Sequence, residues 1–358
     1  MFRRKDNFEK QARQSEHLLK KLFSLRIVKM ALILLLLAIS VPFIIFLYLK
    51  PQPAKNINYG VTFSNKYSTE IGQNWKDTFL KISDELNVKN MRLVVYWDDV
   101  EKIRNRYDYS DIEWQLNEAD KKDINVMLTI GKKVPRYPEC FSPDWWKDIK
   151  NKTEKDNELL EYITKTVNTL KNHQSIKMWQ VENEPFWPFG ICEKTDKPLI
   201  LNEIKIVRSL DNRPVIMQDS GEGGLWRNTF NMTDYLGISM YRKFWYDFFY
   251  DVFGKETYFK YPLSYWSYKI KADIVGIPLD KIIITELQAE PWGPRINSKL
   301  THEERDKTMS RNDFIDTLSY AQKSGFKDIY FWGAEWWLWE KDVDNNSFYW
   351  DTAKPLFR

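Results

Sequence analysis

Two glutamates, each closing a short apolar run, are the residues in this chain best suited to do chemistry. One closes Trp179-Gln180-Val181-Glu182-Asn183-Glu184, just before Pro185, and the other closes Ile282-Ile283-Ile284-Thr285-Glu286. Both runs have the apolar, β-branched character of buried parallel strands, and a carboxylate at the C-terminal end of such a strand lies where an α/β barrel holds its active site. Two carboxyl groups that face each other are what cleavage of a sugar–sugar bond needs. One must keep its proton near neutral pH, through burial or a neighbouring carboxylate. The other must stay ionised, beside a cation or hydrogen-bond donors. A carboxyl separation of about 5–5.5 Å would make the reaction retaining. Two local rivals stand close by: Glu182, which shares a face with Glu184 if the strand is extended, and Glu290, four residues after Glu286.

The elements that must position these groups follow from the pattern of the chain. Strand-like runs occur at Tyr59–Phe63, Met91–Tyr96, Ile124–Ile130, Lys177–Glu182, Pro214–Gln218, Leu236–Met240, Lys281–Thr285 and Asp328–Trp332. Amphipathic helical stretches lie between most of them, at Trp75–Leu86, Ile112–Lys121, Asn157–Leu170, Leu199–Ser209 and Glu303–Lys323. Thr301-His302-Glu303-Glu304 has the form of a capping box opening the last of these. Eight strand–helix units in about 300 residues match the size of a (β/α)8 barrel, an α/β fold. The two glutamates then end its fourth and seventh strands.

On those residues the chain resembles the large clan of retaining glycoside hydrolases built on a (β/α)8 barrel, over roughly residues 57–340. The resemblance implies Glu184, directly after Asn183, as general acid/base and Glu286 as nucleophile. Arg92, a charge inside the apolar second strand, resembles the clan's arginine that keeps the nucleophile ionised. Asn183 is expected at the sugar 2-hydroxyl, Tyr241 against the nucleophile, and Trp332 as the floor of the subsite for the reacting sugar. Where many relatives carry a histidine two residues before that tyrosine, Ser239 stands here. Glu182 occupies a slot that is often aromatic or apolar. Val-x-Asn-Glu-Pro leans towards the cellulase/mannanase-like or xylosidase-like families.

The chain of 358 residues is rich in rings, with 16 Trp, 19 Tyr and 21 Phe. Most belong to a core. Trp145, Trp146, Trp187, Trp245, Trp292, Trp336, Trp337 and Trp339 fall in expected loops or at strand ends, and about a third of them are expected to stack on sugar faces. Trp97, Trp187 and Trp292 are the aromatic candidates for substrate contact; Asp98, Asp99, Lys132 and Arg136 are polar ones.

Residues 1–29 carry nine basic side chains against three acidic ones, so that segment is +6 and the other 329 residues are −2 within a net charge of +4. A near-neutral globular part speaks against a nucleic-acid partner. Met30 to Leu49 follow, twenty residues without a charge and long enough as a helix to cross a bilayer core of roughly 30 Å. The long leader, the length of the apolar run and the lack of an Ala-x-Ala site count against a cleaved signal peptide. The expectation is a single-pass anchor, with a cytoplasmic leader at 1–29, a linker at 50–56 and an extracytoplasmic barrel at 57–358. Outside the membrane, Cys140 and Cys192 could pair or remain two thiols. No metal or cofactor is expected. The three histidines, His17, His173 and His302, offer no nucleophile–base arrangement, and no G-x-S-x-G, P-loop or Rossmann glycine fingerprint occurs. The reading is therefore a retaining glycoside hydrolase acting on an oligo- or polysaccharide. Its rivals are a non-catalytic glycan-binding barrel and a transglycosylase remodelling surface polysaccharide.

Overall fold

The computed structural model describes residues 24–44, 51–245, 250, 252 and 254–357. Most of the expected basic leader and residues 45–49 of the expected anchor lie outside the described residues. The chain divides into two units, 1–50 and 51–358, considered separately.

In the first unit a helix runs over Ser24–Ile44, long and apolar enough to cross a membrane, with no part of its apolar window buried. It begins six residues before Met30, so it takes in Arg26 and Lys29.

Among the described residues the second unit has ten strands: β1 (Asn58–Thr62), β2 (Asn90–Val94), β3 (Asn125–Ile130), β4 (Ile176–Asn183), β5 (Val215–Asp219), β6 (Tyr235–Met240), β7 (Lys243–Trp245), β8 (Tyr258–Lys260), β9 (Ile282–Gln288) and β10 (Asp328–Trp332). Eight of them close a parallel barrel in the order β1-β10-β9-β6-β5-β4-β3-β2. All eight expected strands are present, displaced by a few residues at their ends. The largest displacement matters: β9 continues to Gln288, so Glu286 lies inside the strand. Strands β7 and β8 form an antiparallel hairpin in the connection after β6.

Two apolar layers hold the barrel. Outside the strands, helices cover a large core that includes Val61, Leu93, Leu128, Trp179, Leu236 and Phe331. Inside, Met127, Ile216 and Ile283 make a separate apolar plug, with Met178, Tyr235 and Tyr330 packed against it. A second interior layer is polar and fully buried, built from Arg92, Gln180, Gln218 and Thr285. Gln218 accepts from the Thr285 hydroxyl at 2.6 Å, and Thr62 donates to the Thr285 carbonyl at 3.0 Å. Buried polar groups persist because they are paired in this way.

The helices depart from expectation in two places. The stretch at Glu303–Lys323 is two helices, His302–Met309 and Arg311–Lys323. Ser310 is extended (φ −67°, ψ 167°) and opens the second helix with its own capping box to Asp313, a start signal that wins over the continuous periodicity. A helix at Trp266–Val275, ended by Gly276 in the left-handed region (φ 74°), follows the hairpin and was not expected. Of the eight tryptophans of which about a third were expected to stack on sugars, Trp146, Trp336, Trp337 and Trp339 are core rings. The last three belong to a helix, Ala334–Asp342, that is buried from Ala334 through Glu340.

Cys140 and Cys192 form a disulfide that joins the loops after β3 and β4 across 52 residues. In a chain-entropy account a closure of this length stabilises by roughly 2–4 kcal/mol. The double variant Cys140→Ser/Cys192→Ser should therefore unfold about 5–10 °C lower than the parent by calorimetry under non-reducing conditions. An unchanged midpoint would show that the bond contributes nothing.

Candidate active site

The polar interior layer ends in a buried ion pair. Arg92 on β2 has no solvent exposure, and its guanidinium reaches β4 and β9. Nη1 donates to Glu286 Oε1 at 2.8 Å, Nε to Gln180 Oε1 at 2.8 Å, and Nη2 to Asn183 Oδ1 at 2.7 Å. The second oxygen of Glu286 accepts from the Tyr241 hydroxyl at 3.2 Å. Tyr241 is itself held by its backbone N–H, which donates to Glu222 at 2.8 Å. The sequence-predicted Arg92, Asn183, Tyr241 and Glu286 thus meet at one place.

Glu184 lies just past β4 and accepts from the Ser239 hydroxyl at 2.8 Å. Ser239 on β6 is in register with Glu286 on β9. Burial pushes the Glu184 carboxyl up to about 8, the Glu286 charge pushes in the same direction, and the Ser239 bond and Lys133 oppose them. The site therefore holds one carboxyl protonated near neutral pH beside one paired with arginine.

The rivals have other work. Glu182 is in the left-handed region (φ 60°), as is Glu184 (φ 46°), so the chain here is not an extended strand that puts both on one face. The Glu182 carboxylate instead accepts the backbone N–H groups of Lys132 (2.9 Å) and Lys133 (2.8 Å), shaping the loop after β3. Gly131 is needed beside it, because a Cβ there would lie 2.6 Å from Glu182 Oε1. Glu290 takes the Trp332 indole N–H at 2.9 Å and pairs with Arg136. Arg136 in turn lies between two rings, 3.6 Å from the Tyr67 centroid and 4.1 Å from that of Trp332, and reaches Glu335 at 3.3 Å. One face of Trp332 is consequently covered by a guanidinium.

Glu139 is the carboxyl group that sequence reasoning missed. It pairs with Lys133 at 3.3 Å and accepts from Asn183 Nδ2 at 3.3 Å. Burial holds its pKa well above the ordinary range; Lys133 opposes this, and Glu184 and Glu286 add to it. The only local sign of it is its place beside Cys140, whose disulfide ties down its loop. Lys133 also donates to the carbonyls of Glu184 (2.8 Å) and Trp187 (2.9 Å), fixing the chain around Glu184.

Of the aromatic candidates, Trp187 is 36% exposed and lies over Gly223, where a Cβ would come 2.0 Å from its ring. Trp292 packs on Tyr241 (5.1 Å) and Phe189 (5.4 Å), forming a wall between the loops after β4, β6 and β9. Trp97 is a correction: it is fully buried, stacked on Tyr162 at 4.9 Å, with its indole N–H on Glu101 at 2.7 Å. It cannot touch substrate from there. Asp98 and Asp99 pair with Lys66 at 3.2 and 2.9 Å, and Lys132 reaches the Glu193 carbonyl at 3.3 Å, so these three serve loop structure. Among the described residues, no group of three or more His, Cys, Asp or Glu side chains is placed to hold a metal ion.

Residues 78–262 match the family described as glycosyl hydrolases family 2, TIM barrel domain. That span takes in Arg92, Glu139, Asn183, Glu184, Ser239 and Tyr241, and ends before Glu286. Similar solved structures include a glycosylated endo-beta-1,4-xylanase of glycoside hydrolase family 10 from Gloeophyllum trabeum, at 14% identity and TM-score 0.55, covering 85% of this chain and 98% of that one. Xylanase 10B from Thermotoga maritima is 18% identical at TM-score 0.53, covering 84% and 95%. A GH5_18 protein from Bifidobacterium longum subsp. longum is 10% identical at TM-score 0.53, covering 78% and 70%. At such identities the likeness is one of fold. No curated protein sequence matches.

The raised Glu184 pKa has a consequence for stability. The folded protein keeps this proton up to about pH 8, whereas the unfolded chain releases it near 4.5. Its contribution is fully present below 4.5 and is lost as pH rises through about 8. Glu184→Gln, which cannot ionise, should gain stability relative to the parent between pH 5 and pH 9 in denaturant titrations. A difference independent of pH would sink the assignment.

Proposed function

Because the chain belongs to the glycosyl hydrolase family 2 TIM-barrel family, within the clan of (β/α)8 glycoside hydrolases, we propose that it is a retaining glycosidase using Glu184 as acid/base and Glu286 as nucleophile. The observation that carries this is the contrast between the two carboxyl groups: one neutralised by burial, the other paired with Arg92 and bonded by Tyr241. Environments that separate two carboxyl groups in this way assign acid and base roles.

The steps follow from that contrast. Glu184 gives its proton to the glycosidic oxygen as the bond from that oxygen to the anomeric carbon breaks. A Glu286 oxygen forms an ester to the same carbon, and the leaving group departs as an alcohol. Ester formation removes the Glu286 charge, the second-largest influence holding the Glu184 pKa up, so Glu184 becomes easier to keep ionised. It then takes a proton from water as the water oxygen attacks the anomeric carbon and Glu286 leaves. Asn183, fixed through its Oδ1 by Arg92, directs Nδ2 to the 2-hydroxyl side. The half-exposed Trp187 and Trp292 suit the leaving-group side, where a flat ring packs against a sugar face.

The helix at Ser24–Ile44 with its basic flank supports a membrane anchor with the barrel on the far side. The Cys140–Cys192 bond independently favours an oxidising compartment for the barrel.

Incubating the full chain in detergent with 2-deoxy-2-fluoro glycosyl fluorides and mapping adducts by mass spectrometry tests the reading. The expected result is an ester on Glu286, absent in Glu286→Gln. With an activated glycoside, Glu184→Gln should accumulate the intermediate, and added azide should restore turnover as the glycosyl azide. In the parent enzyme kcat/KM should fall as pH rises through about 8, where Glu184 ionises. No adduct alongside oligosaccharide binding would favour a non-catalytic glycan-binding barrel.

A further inference from the structure

The two oxygens of Glu184 are not equivalent. Oε1 accepts from the Ser239 hydroxyl at 2.8 Å. Oε2 has no hydrogen-bond partner among the described residues, and it is not one of the sealed, orphaned atoms of the interior, so it keeps some surface open to the site. The direction of the bond to Oε1 is set from the far side of the serine. A hydroxyl has one hydrogen and two lone pairs. The Gly221 backbone N–H donates to Ser239 Oγ at 3.2 Å and so occupies one lone pair. The single hydrogen then goes to the acceptor that Oγ reaches among the described residues, Glu184 Oε1. An oxygen that receives this hydrogen is the carbonyl oxygen of a protonated carboxyl group. A proton on Oε1 would instead force the serine to turn its hydrogen away from its acceptor, and a buried donor without a partner is costly.

This relay is held at each of its members. The Gly221 carbonyl accepts from Lys271 Nζ at 2.9 Å, and Lys271 belongs to the helix Trp266–Val275. Residue 221 must be a glycine, because a Cβ there would come 1.8 Å from the Ser239 carbonyl oxygen. The Asp219 carboxylate ties the same loop by accepting the backbone N–H groups of Ser220 (2.8 Å) and Trp226 (2.9 Å). Glu184 is fixed through its own N–H, which donates to the Gln218 carbonyl at 3.1 Å. The charged and titratable groups facing Glu184 are Glu286 on β9, Lys133 in the loop after β3 and Asp219 on β5; Glu139 and Tyr241 feel its charge in turn. Burial and Glu286 favour the protonated form, whereas the Ser239 bond favours the ionised one. A hydroxyl does not titrate in this range, so the serine stays a donor in both states and binds the ionised carboxylate more strongly.

We propose that Ser239 is the positioning residue that fixes the Glu184 proton on Oε2, so that one oxygen of the carboxyl group handles the proton in both halves of the reaction. In the first half the O–H bond at Oε2 breaks as its proton passes to the glycosidic oxygen. In the second half the lone pair left on Oε2 takes a proton from the attacking water. The bond from Ser239 to Oε1 is kept throughout, and no reactant beyond that water is needed. Ser239 touches no reacting atom; it acts through Glu184. The proposal rests on the glycosidase reading for the reaction, but the place of the proton does not depend on turnover.

The test compares full-length parent, Ser239→Ala and Ser239→Thr in detergent, by two readouts. The first is infrared difference spectroscopy below the Glu184 titration, with Glu184→Gln subtracted to isolate the Glu184 carbonyl stretch. Ser239→Ala should move that band to higher frequency, because the carbonyl oxygen loses its donor, and Ser239→Thr should return it. The second is kinetics with phenyl and 2,4-dinitrophenyl β-D-gluco-, galacto-, manno- and xylopyranosides. In Ser239→Ala, kcat/KM should fall about 10-fold for the phenyl glycosides, which need the acid, and little for the dinitrophenyl ones, which do not. Its alkaline fall, at about pH 8 in the parent, should move to higher pH, since an influence favouring the ionised form is gone. A merely structural gap would let water in, ease ionisation and move that fall to lower pH, which would overturn the proposal. An unmoved carbonyl band would overturn it too. If Ser239→Ala does not fold, Ser239→Cys, a weaker donor, reads the same shifts. An adduct on Glu286 with an unmoved band would leave the glycosidase reading standing and this role of Ser239 refuted. A band that moves without adduct or turnover would do the reverse.

Discussion

A guanidinium sealed inside a β-barrel is tolerable only if other strands bring it partners, and the architecture of this site depends on that demand. Arg92 is bonded to β4 through Gln180 and Asn183 and to β9 through Glu286. A buried ion pair contributes little net stability, but removing one partner costs about 3–5 kcal/mol, because a charge is left without a counterpart. The pair therefore acts chiefly as a geometric constraint. It sets the side chains of three strands against one another, and it holds the proposed nucleophile in a single orientation with one oxygen engaged and the other turned to Tyr241.

The same burial that makes Arg92 demanding separates the two carboxyl groups. Glu184 and Glu286 lie in one electrostatic environment, yet only Glu286 has the cation. Glu184 has a neutral hydroxyl donor from Ser239 and the repulsion of its neighbour, so its proton stays. Glu139, paired with Lys133 and tied to Asn183, adds a third carboxyl to the set. Its position couples the amide of Asn183 to a charged group from a different loop.

Backbone strain gathers where these groups meet. Among the non-glycine residues at positive φ, five are Asn or Asp, which tolerate that region; the others are Arg136, Glu139, Glu182, Glu184 and Trp226. Four of these five, Arg136, Glu139, Glu182 and Glu184, lie at the ends of or just beyond β3 and β4. Such conformations persist only when surrounding contacts over-determine them. The Cys140–Cys192 bond, the Glu182 carboxylate across two backbone N–H groups and the three contacts of Lys133 supply that over-determination.

The barrel was legible in the sequence because it rests on local patterns: eight apolar runs, the helices between them, and an arginine and two glutamates whose positions within those runs imply burial and a common rim. Apolar periodicity needs no knowledge of the rest of the chain, and a charge inside an apolar run announces that a partner must exist. What only the tertiary structure decided depends on contacts between residues far apart in sequence. Period two put Glu182 and Glu184 on one face, and left-handed backbone separated them. Position in the sequence could not say which of the late tryptophans stack and which pack, and helix packing buried Trp336, Trp337 and Trp339. Glu139 was passed over, and the partners of Arg136 and Glu290 could not be read, since their meaning lies in loops joined by a disulfide and by stacked rings. Loop conformation and the burial of a ring are set by what packs against them, and a linear sequence does not list its own neighbours.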